Sequence, residues 1–279
     1  MIVFALSAAL FISPAAIPDT FSHPINGYEL IWADEFNKPG NVDTAVWQFE
    51  KGFVRNHELQ WYQPQNAWCE NGKLIIEAKK EALPNPLYKA GSDDWRKSRA
   101  QIQYTSSSIN TRKAASWQFG RFEIRAKIVA KPGLWPAIWT LGMSGEWPAN
   151  GEIDIMEYYK GDILANVATG TGKRYQAKWF TTKKPVSSFN EPNWDQSFHV
   201  WRMDWDEHFI RLYVDDLLLN EVNVKDAANP DGKNPFHQPH YLLLNLAIGG
   251  DNGGDPSGTA FPSRYEIDYV RVFQKKEIP

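Results

Sequence analysis

The stretch RFEIRAKIVA, residues 121 to 130, alternates Phe122, Ile124, Ala126 and Ile128 with Arg121, Glu123, Arg125 and Lys127. A period of two marks a strand with one face buried and the other in water. KLIIEAK (73–79), FIRLYV (209–214), YLLLNLAIGG (241–250) and YVRVF (269–273) are short runs rich in β-branched and aromatic residues, bounded by Gly, Pro, Asn or Asp, and read as further strands. Turns are expected at Asn71 and Gly72, from Asp204 to His208 and from Val214 to Asp216. Residues 80–105 and 222–240 are polar, proline-containing and aperiodic, which predicts long loops of the kind that line a site. Many strands with few helices imply an all-β chain, an antiparallel sandwich or barrel, and 279 residues suit two large packed sheets.

One strand breaks the alternation. GEIDIMEYY, residues 151–159, places Glu152 and Asp154 on one face, and a regular strand would turn Glu157 to the other. All three acids share a face only if a β-bulge inserts one extra residue, with Ile155 and Met156 the natural place for it. Crowded carboxylates force their pKa values apart, so that one donates a proton while another stays ionised. Glycoside cleavage needs that division: an ionised nucleophile attacks the anomeric carbon and a protonated partner serves the departing oxygen. Asp154, between the two glutamates, would hold the nucleophile by a hydrogen bond. YEIDYV, residues 265–270, repeats Glu-Ile-Asp without a third acid, so the shorter pattern alone is weak.

Other chemistries have less support. No EF-hand loop accompanies the acids, no G-x-S-x-G elbow is present, and His237 and His240 lack the Cys pair or HExxH context of a zinc site, which leaves them a loop or core role. The net charge of −3 is interleaved without a basic stripe, which argues against nucleic acid. Thirteen Trp residues include Trp61, Trp95, Trp135, Trp139, Trp147 and Trp179 beside polar or turn positions, where they suit core packing or stacking on sugar rings. Cys69, the single cysteine, reads as a small buried hydrophobe. The apolar run from Ile2 to Ile12 resembles a signal peptide, expected to span residues 1–18 ahead of one domain over 19–279. The run is too short to span a bilayer. A secreted, periplasmic or cell-surface monomer without stable membrane insertion is therefore expected.

WPANGEIDIMEY resembles the signature of family-16 glycoside hydrolases, in particular the laminarinase-like β-glucanases with an extra residue before the final Glu. ADEFN (33–37), NHELQWY (56–62), NGKLIIEAKK (71–80), GRFEIRAKI (120–128), GLWPAIWTLG (133–142) and LLNLAIGG (243–250) resemble family segments in family order, covering residues 27–274. The resemblance implies a β-jelly-roll of two antiparallel sheets with a concave cleft, and retaining endo-hydrolysis of a β-1,3- or mixed β-1,3/1,4-glucan. It implies Glu152 as nucleophile, Asp154 as its assistant and Glu157 as general acid/base, with Trp135, Trp139 and Trp147 lining the cleft and Asn56, Glu58 and Asn245 contacting sugar hydroxyls. No cofactor is implied for catalysis; a structural calcium is implied at the segments holding Glu35, Gly72 and Asp268. Many β-1,3-glucanases of the family carry a His on the strand after the catalytic one, and ANVATGTGKRYQAKW has none. Substrate preference then falls to the loop 173–180, with Arg174 and Trp179 as candidate contacts. The alternatives are a galactan such as agar or carrageenan, or a lectin-like module without catalysis.

Overall fold

The computed structural model describes residue 25 and residues 27–276. The expected leader falls outside them. Two sheets make up the domain, one of eleven strands and one of seven. In the seven-stranded sheet the spatial order is Ala177–Pro185, Asp162–Gly170, Glu152–Tyr159, Leu134–Gly142, His240–Ile248, Ser108–Asn110 and Gln48–Phe49, all antiparallel. The larger sheet is antiparallel as well, except where Gln60–Tyr62 lies parallel to Gln101–Ser106. This is the jelly-roll sandwich expected.

The alternating patterns explain the layers. Gly120–Lys127 buries every second residue, and Phe122, Ile124 and Ala126 enter the core between the sheets. From the smaller sheet Ile138, Ile153, Val167, Leu242, Leu244 and Leu246 meet them. Burying such side chains contributes roughly 1.5–3 kcal/mol each, and it fixes which face of the smaller sheet is left for the solvent side. Asn71 (φ 51°) and Gly72 (φ 69°) form the tight turn into Lys73–Pro84, as their sequence predicts.

Of the two expected loops, 222–240 is irregular from 228 to 239 after the short 3-10 turn Val224–Ala227, and 80–105 differs from the pattern reading. Strand Lys73–Pro84 and strand Gln101–Ser106 pair with each other, so the irregular segment shrinks to 85–100 and contains the short helix Trp95–Ser98. Polarity hid the continuation of the first strand beyond Lys79 and the start of the second because those ends lie exposed. Cys69 is buried, and His240 is buried with its ring between Thr140 Oγ1 and the Pro235 carbonyl.

Candidate active site

The acid-bearing strand Glu152–Tyr159 sits between Leu134–Gly142 and Asp162–Gly170. Its register slips where the sequence requires. Asp154 faces Asn166 and Glu157 faces Leu164, so Ile155 and Met156 together oppose Ala165 alone. A matching slip falls between Ile138 and Trp139 on the other neighbour. The bulge leaves Ile155 and Met156 buried and returns Glu157 to the side of Glu152 and Asp154. All three line a cleft of about 640 Å³ on the open face of the smaller sheet, a volume typical of ligand sites. Gly151 (φ 80°) leads into this strand, and a Cβ there would lie 2.9 Å from the Pro235 side chain.

Each acid is gripped differently. The Trp147 indole N–H donates to Glu152 Oε2. Trp135 Nε1 donates to Glu157 Oε1 at 2.8 Å, and Asn166 Nδ2 donates to Glu157 Oε2 at 2.8 Å and to Asp154 Oδ2 at 3.0 Å. Asp154 is only 2% exposed. Burial, followed by the charges of Glu157 and Glu152, pushes its carboxyl well above the usual range, which favours its protonated form beside Glu152. Burial raises Glu152 too, against the opposing hydrogen bonds from Trp147 and Asp154 and the charge of Arg55. Burial and the neighbouring Glu152 charge bring Glu157 up to about 7. One carboxyl is thus set to hold a proton near neutrality beside another that is helped to stay ionised.

Trp135, Trp139, Trp147, Trp179, Asn56, Glu58 and Asn245 also line the cleft. The indole N–H groups of the first three are already engaged, Trp139 with Asn245 Oδ1 at 2.7 Å. Trp179, on the edge strand Ala177–Pro185, is 46% exposed and free to present its ring. Arg174 lies outside the cleft lining: its guanidinium pairs with Glu146, which also accepts from Tyr175 Oη at 2.8 Å. The clasp joins the loop 171–176 to the loop that carries Trp147. Trp61 and Trp95 pack around Phe53 away from the cleft. Segments 85–100 and 222–240 supply no lining residue, yet they brace those that do. Arg99 donates to the carbonyl of cleft-lining Glu58 at 2.7 Å, and Asn229 Nδ2 donates at 2.8 Å to the carbonyl of Ala149, two residues after cleft-lining Trp147.

Arg55, Asn166, Tyr159, Thr181 and Lys183 line the cleft without having been expected there. A signal existed for Asn166, a polar residue inside the run ILANVA; the other four lack one, because lining depends on register across strands.

At the segments proposed for calcium, Glu35 is held bidentately by Arg271 (2.7 and 3.0 Å) and Asp268 by Arg125. A carboxylate already neutralised by a guanidinium is a poor calcium ligand, so these side chains do not fit the ion. Among the described residues no group of three or more His, Cys, Asp or Glu could hold a metal.

The family model for glycosyl hydrolases family 16 matches residues 53–271. The chain belongs to that family. It is 36% identical to a β-glucanase of Rhodothermus marinus over 88% of this chain and 85% of that protein. It is 33% identical to glucan endo-1,3-β-glucosidase A1 of Niallia circulans over 90% of this chain, which spans 39% of that longer protein. Among solved structures, one from work on endo-acting O-glycanases with which gut bacteria initiate mucin breakdown superposes with a TM-score of 0.81 at 35% identity, covering 90% of this chain and 92% of that one.

Proposed function

We propose that this family-16 chain is a retaining endo-β-glucanase acting on β-1,3- or mixed β-1,3/1,4-glucan. The observation that carries the reading is the bulged strand, which sets Glu157, protonated up to about pH 7, and a gripped Glu152 on one wall of an open cleft. Glu152 attacks the anomeric carbon from below while Glu157 gives its proton to the leaving oxygen, forming a glycosyl–enzyme ester. With its proton gone, Glu157 then takes one from water, and that water cleaves the ester with net retention. Asp154, protonated, donates to Glu152 and eases its departure from the ester. Trp139 and Trp179 offer faces for sugar rings, and no cofactor enters the reaction. Export to the cell surface or beyond is part of the proposal, as the substrate class is extracellular and too large to enter.

A second reading, endo-cleavage within a mucin-type O-glycan, is favoured by the TM-score of 0.81 to the structure from O-glycanase work. Product release from laminarin, barley mixed-linkage glucan, agarose, carrageenan and mucin O-glycans, with Glu152→Gln beside the parent, tests both. Glucan oligosaccharides absent with the variant support the first reading. Products from mucin glycans alone overturn it in favour of the second, and binding without products favours a lectin-like module.

A further inference from the structure

Arg55 sits in the cleft wall without a part in the steps above. Its side chain is 24% exposed, its Nη2 donates to Glu50, and its guanidinium carbon lies 5.0 Å from the centre of the Trp139 ring. Nη1 is buried without a hydrogen-bond partner. Arg55 compensates the carboxylates of Glu50 and buried Glu58, which an apolar side chain would leave without their cation. That pairing leaves Nη1 unused, at a cost of about 1–3 kcal/mol for an unsatisfied charged donor.

The surroundings fix where the charge stands. The backbone turns through Asn56 (φ 53°) and His57 (φ 48°), conformations held by Asp251 N–H on the Asn56 carbonyl at 2.9 Å and by Arg96 on the Val54 carbonyl at 2.8 Å. Gly250 must be glycine: a Cβ would lie 2.5 Å from the Asn56 carbonyl oxygen. Burial works to discharge Arg55, and the carboxylates of Glu50 and Glu58 outweigh it. Tyr62 and Tyr241 also feel the Arg55 charge.

We propose that Arg55 is a positioning residue for the hydrolysis, a fixed cation in the same cleft wall as Glu152 whose planar face steadies the Trp139 ring on the cleft floor. The inference rests on the reading of Glu152 as nucleophile. The ionisable groups that interact with Glu152 are Asp154 and Glu157 on its own strand, Arg55 from the loop before Gln60–Tyr62, and Tyr241 on His240–Ile248; Trp147, which donates to it, is neutral, and Glu58, Tyr159 and Lys183 line the same cleft. The charge of Arg55 opposes the rise that burial imposes on Glu152. A cation that lowers the pKa of a carboxylate acts most visibly at acid pH, where the nucleophile begins to take up a proton.

The test follows the Glu152 carboxyl by 13C NMR of the labelled chain and the pH dependence of kcat/KM on laminarin and barley glucan, for Arg55→Met, Arg55→Lys, Glu50→Gln and the Arg55→Met/Glu50→Gln pair, with Glu152→Gln as control. Arg55→Met moves the Glu152 titration and the acid limb upward and costs about tenfold in kcat/KM at pH 5, shrinking toward pH 7. Arg55→Lys restores the titration and only part of the rate, because the ammonium keeps the charge without the flat face. Glu50→Gln, which frees the guanidinium charge, moves the titration downward, and the double variant returns it above that of Glu50→Gln. An unmoved titration in Arg55→Met, with activity falling only in step with thermal stability, overturns the inference. Should Arg55→Met not fold, an unmoved titration in Glu50→Gln does so. Full activity in Glu152→Gln would instead sink the reading of Glu152 itself.

Discussion

Glu-Ile-Asp occurs twice in this chain and meets opposite surroundings. At 152–154 the acids lie among indole rings and one amide, with burial raising Glu152 and Asp154. At 266–268, in strand Ser263–Lys275, Glu266 stands between Lys73 (2.9 Å) and Lys127, and Asp268 pairs with Arg125. The two lysines hold Glu266 below its usual value against the opposing effect of burial. Both strands carry a register slip, between Asp154 and Glu157 in one and between Ile267 and Tyr269 in the other. A bulge therefore does not make a site. What separates the two copies is that cations pair directly with both acids at 266–268, whereas at 152–154 no acid has a direct cationic partner, Arg55 acting on Glu152 only from the cleft wall, and burial favours the proton.

The comparison breaks most visibly if the second copy proves as necessary as the first. Glu157→Gln is expected to lose about 10²–10⁴-fold of activity on polysaccharide, the usual contribution of a general acid, and much less on an aryl glycoside whose leaving group needs no proton. Glu152→Gln should lose at least as much on both substrates. Glu266→Gln and Asp268→Asn should keep kcat/KM within about twofold, since neither touches the cleft. Initial rates on the two substrates, beside circular dichroism to confirm folding, decide it, and a large loss in Glu266→Gln would erase the distinction.

Asn166 sharpens the contrast, because it ties Asp154 to Glu157 through one neutral amide. Its N–H favours the ionised form of Glu157, so Asn166→Leu is expected to raise the alkaline limb of the pH–rate profile above the parent's position near 7. Loss of the grip on both acids should also lower kcat by about tenfold to a hundredfold. An alkaline limb that stays in place would mean that the amide holds geometry without touching the charge.

Much of this site could be read from the chain alone, for a physical reason. Alternation in GEIDIMEYY conflicts with three acids on one face, and the conflict itself locates the bulge at Ile155 and Met156. Cross-strand neighbours carry no such mark. That Asn166 lies opposite Asp154 depends on the register of Asp162–Gly170, and that Arg55 reaches Trp139 depends on a loop bent through two residues of positive φ. Arg174 is the converse case: a conspicuous cation in a loop near the cleft, expected to meet sugar, stands outside the cleft lining and pairs with Glu146. The boundaries of the segment 80–105 were misread because exposed strand ends share the polarity of loops.

The smallest effect separates the copies by sign. Glu157 has a folded value of about 7 against an ordinary 4.5, so the native state holds its proton more tightly than the unfolded chain; the stability this contributes is complete below 4.5 and lost as pH rises through about 7. Glu266 is lowered, so its contribution is present above 4.5 and lost as pH falls through its folded value. Replacing Glu157 by Gln should therefore raise the thermal midpoint at pH 8 and change it little at pH 4. Glu266→Gln should lower the midpoint at pH 8 by about 2–4 °C, the equivalent of roughly 1 kcal/mol in a domain of this size, with the difference narrowing at pH 4. Scanning calorimetry at the two pH values reads both shifts. If the two variants move in the same direction at pH 8, the environments differ in degree only, and the catalytic copy gains nothing from the absence of its own lysines.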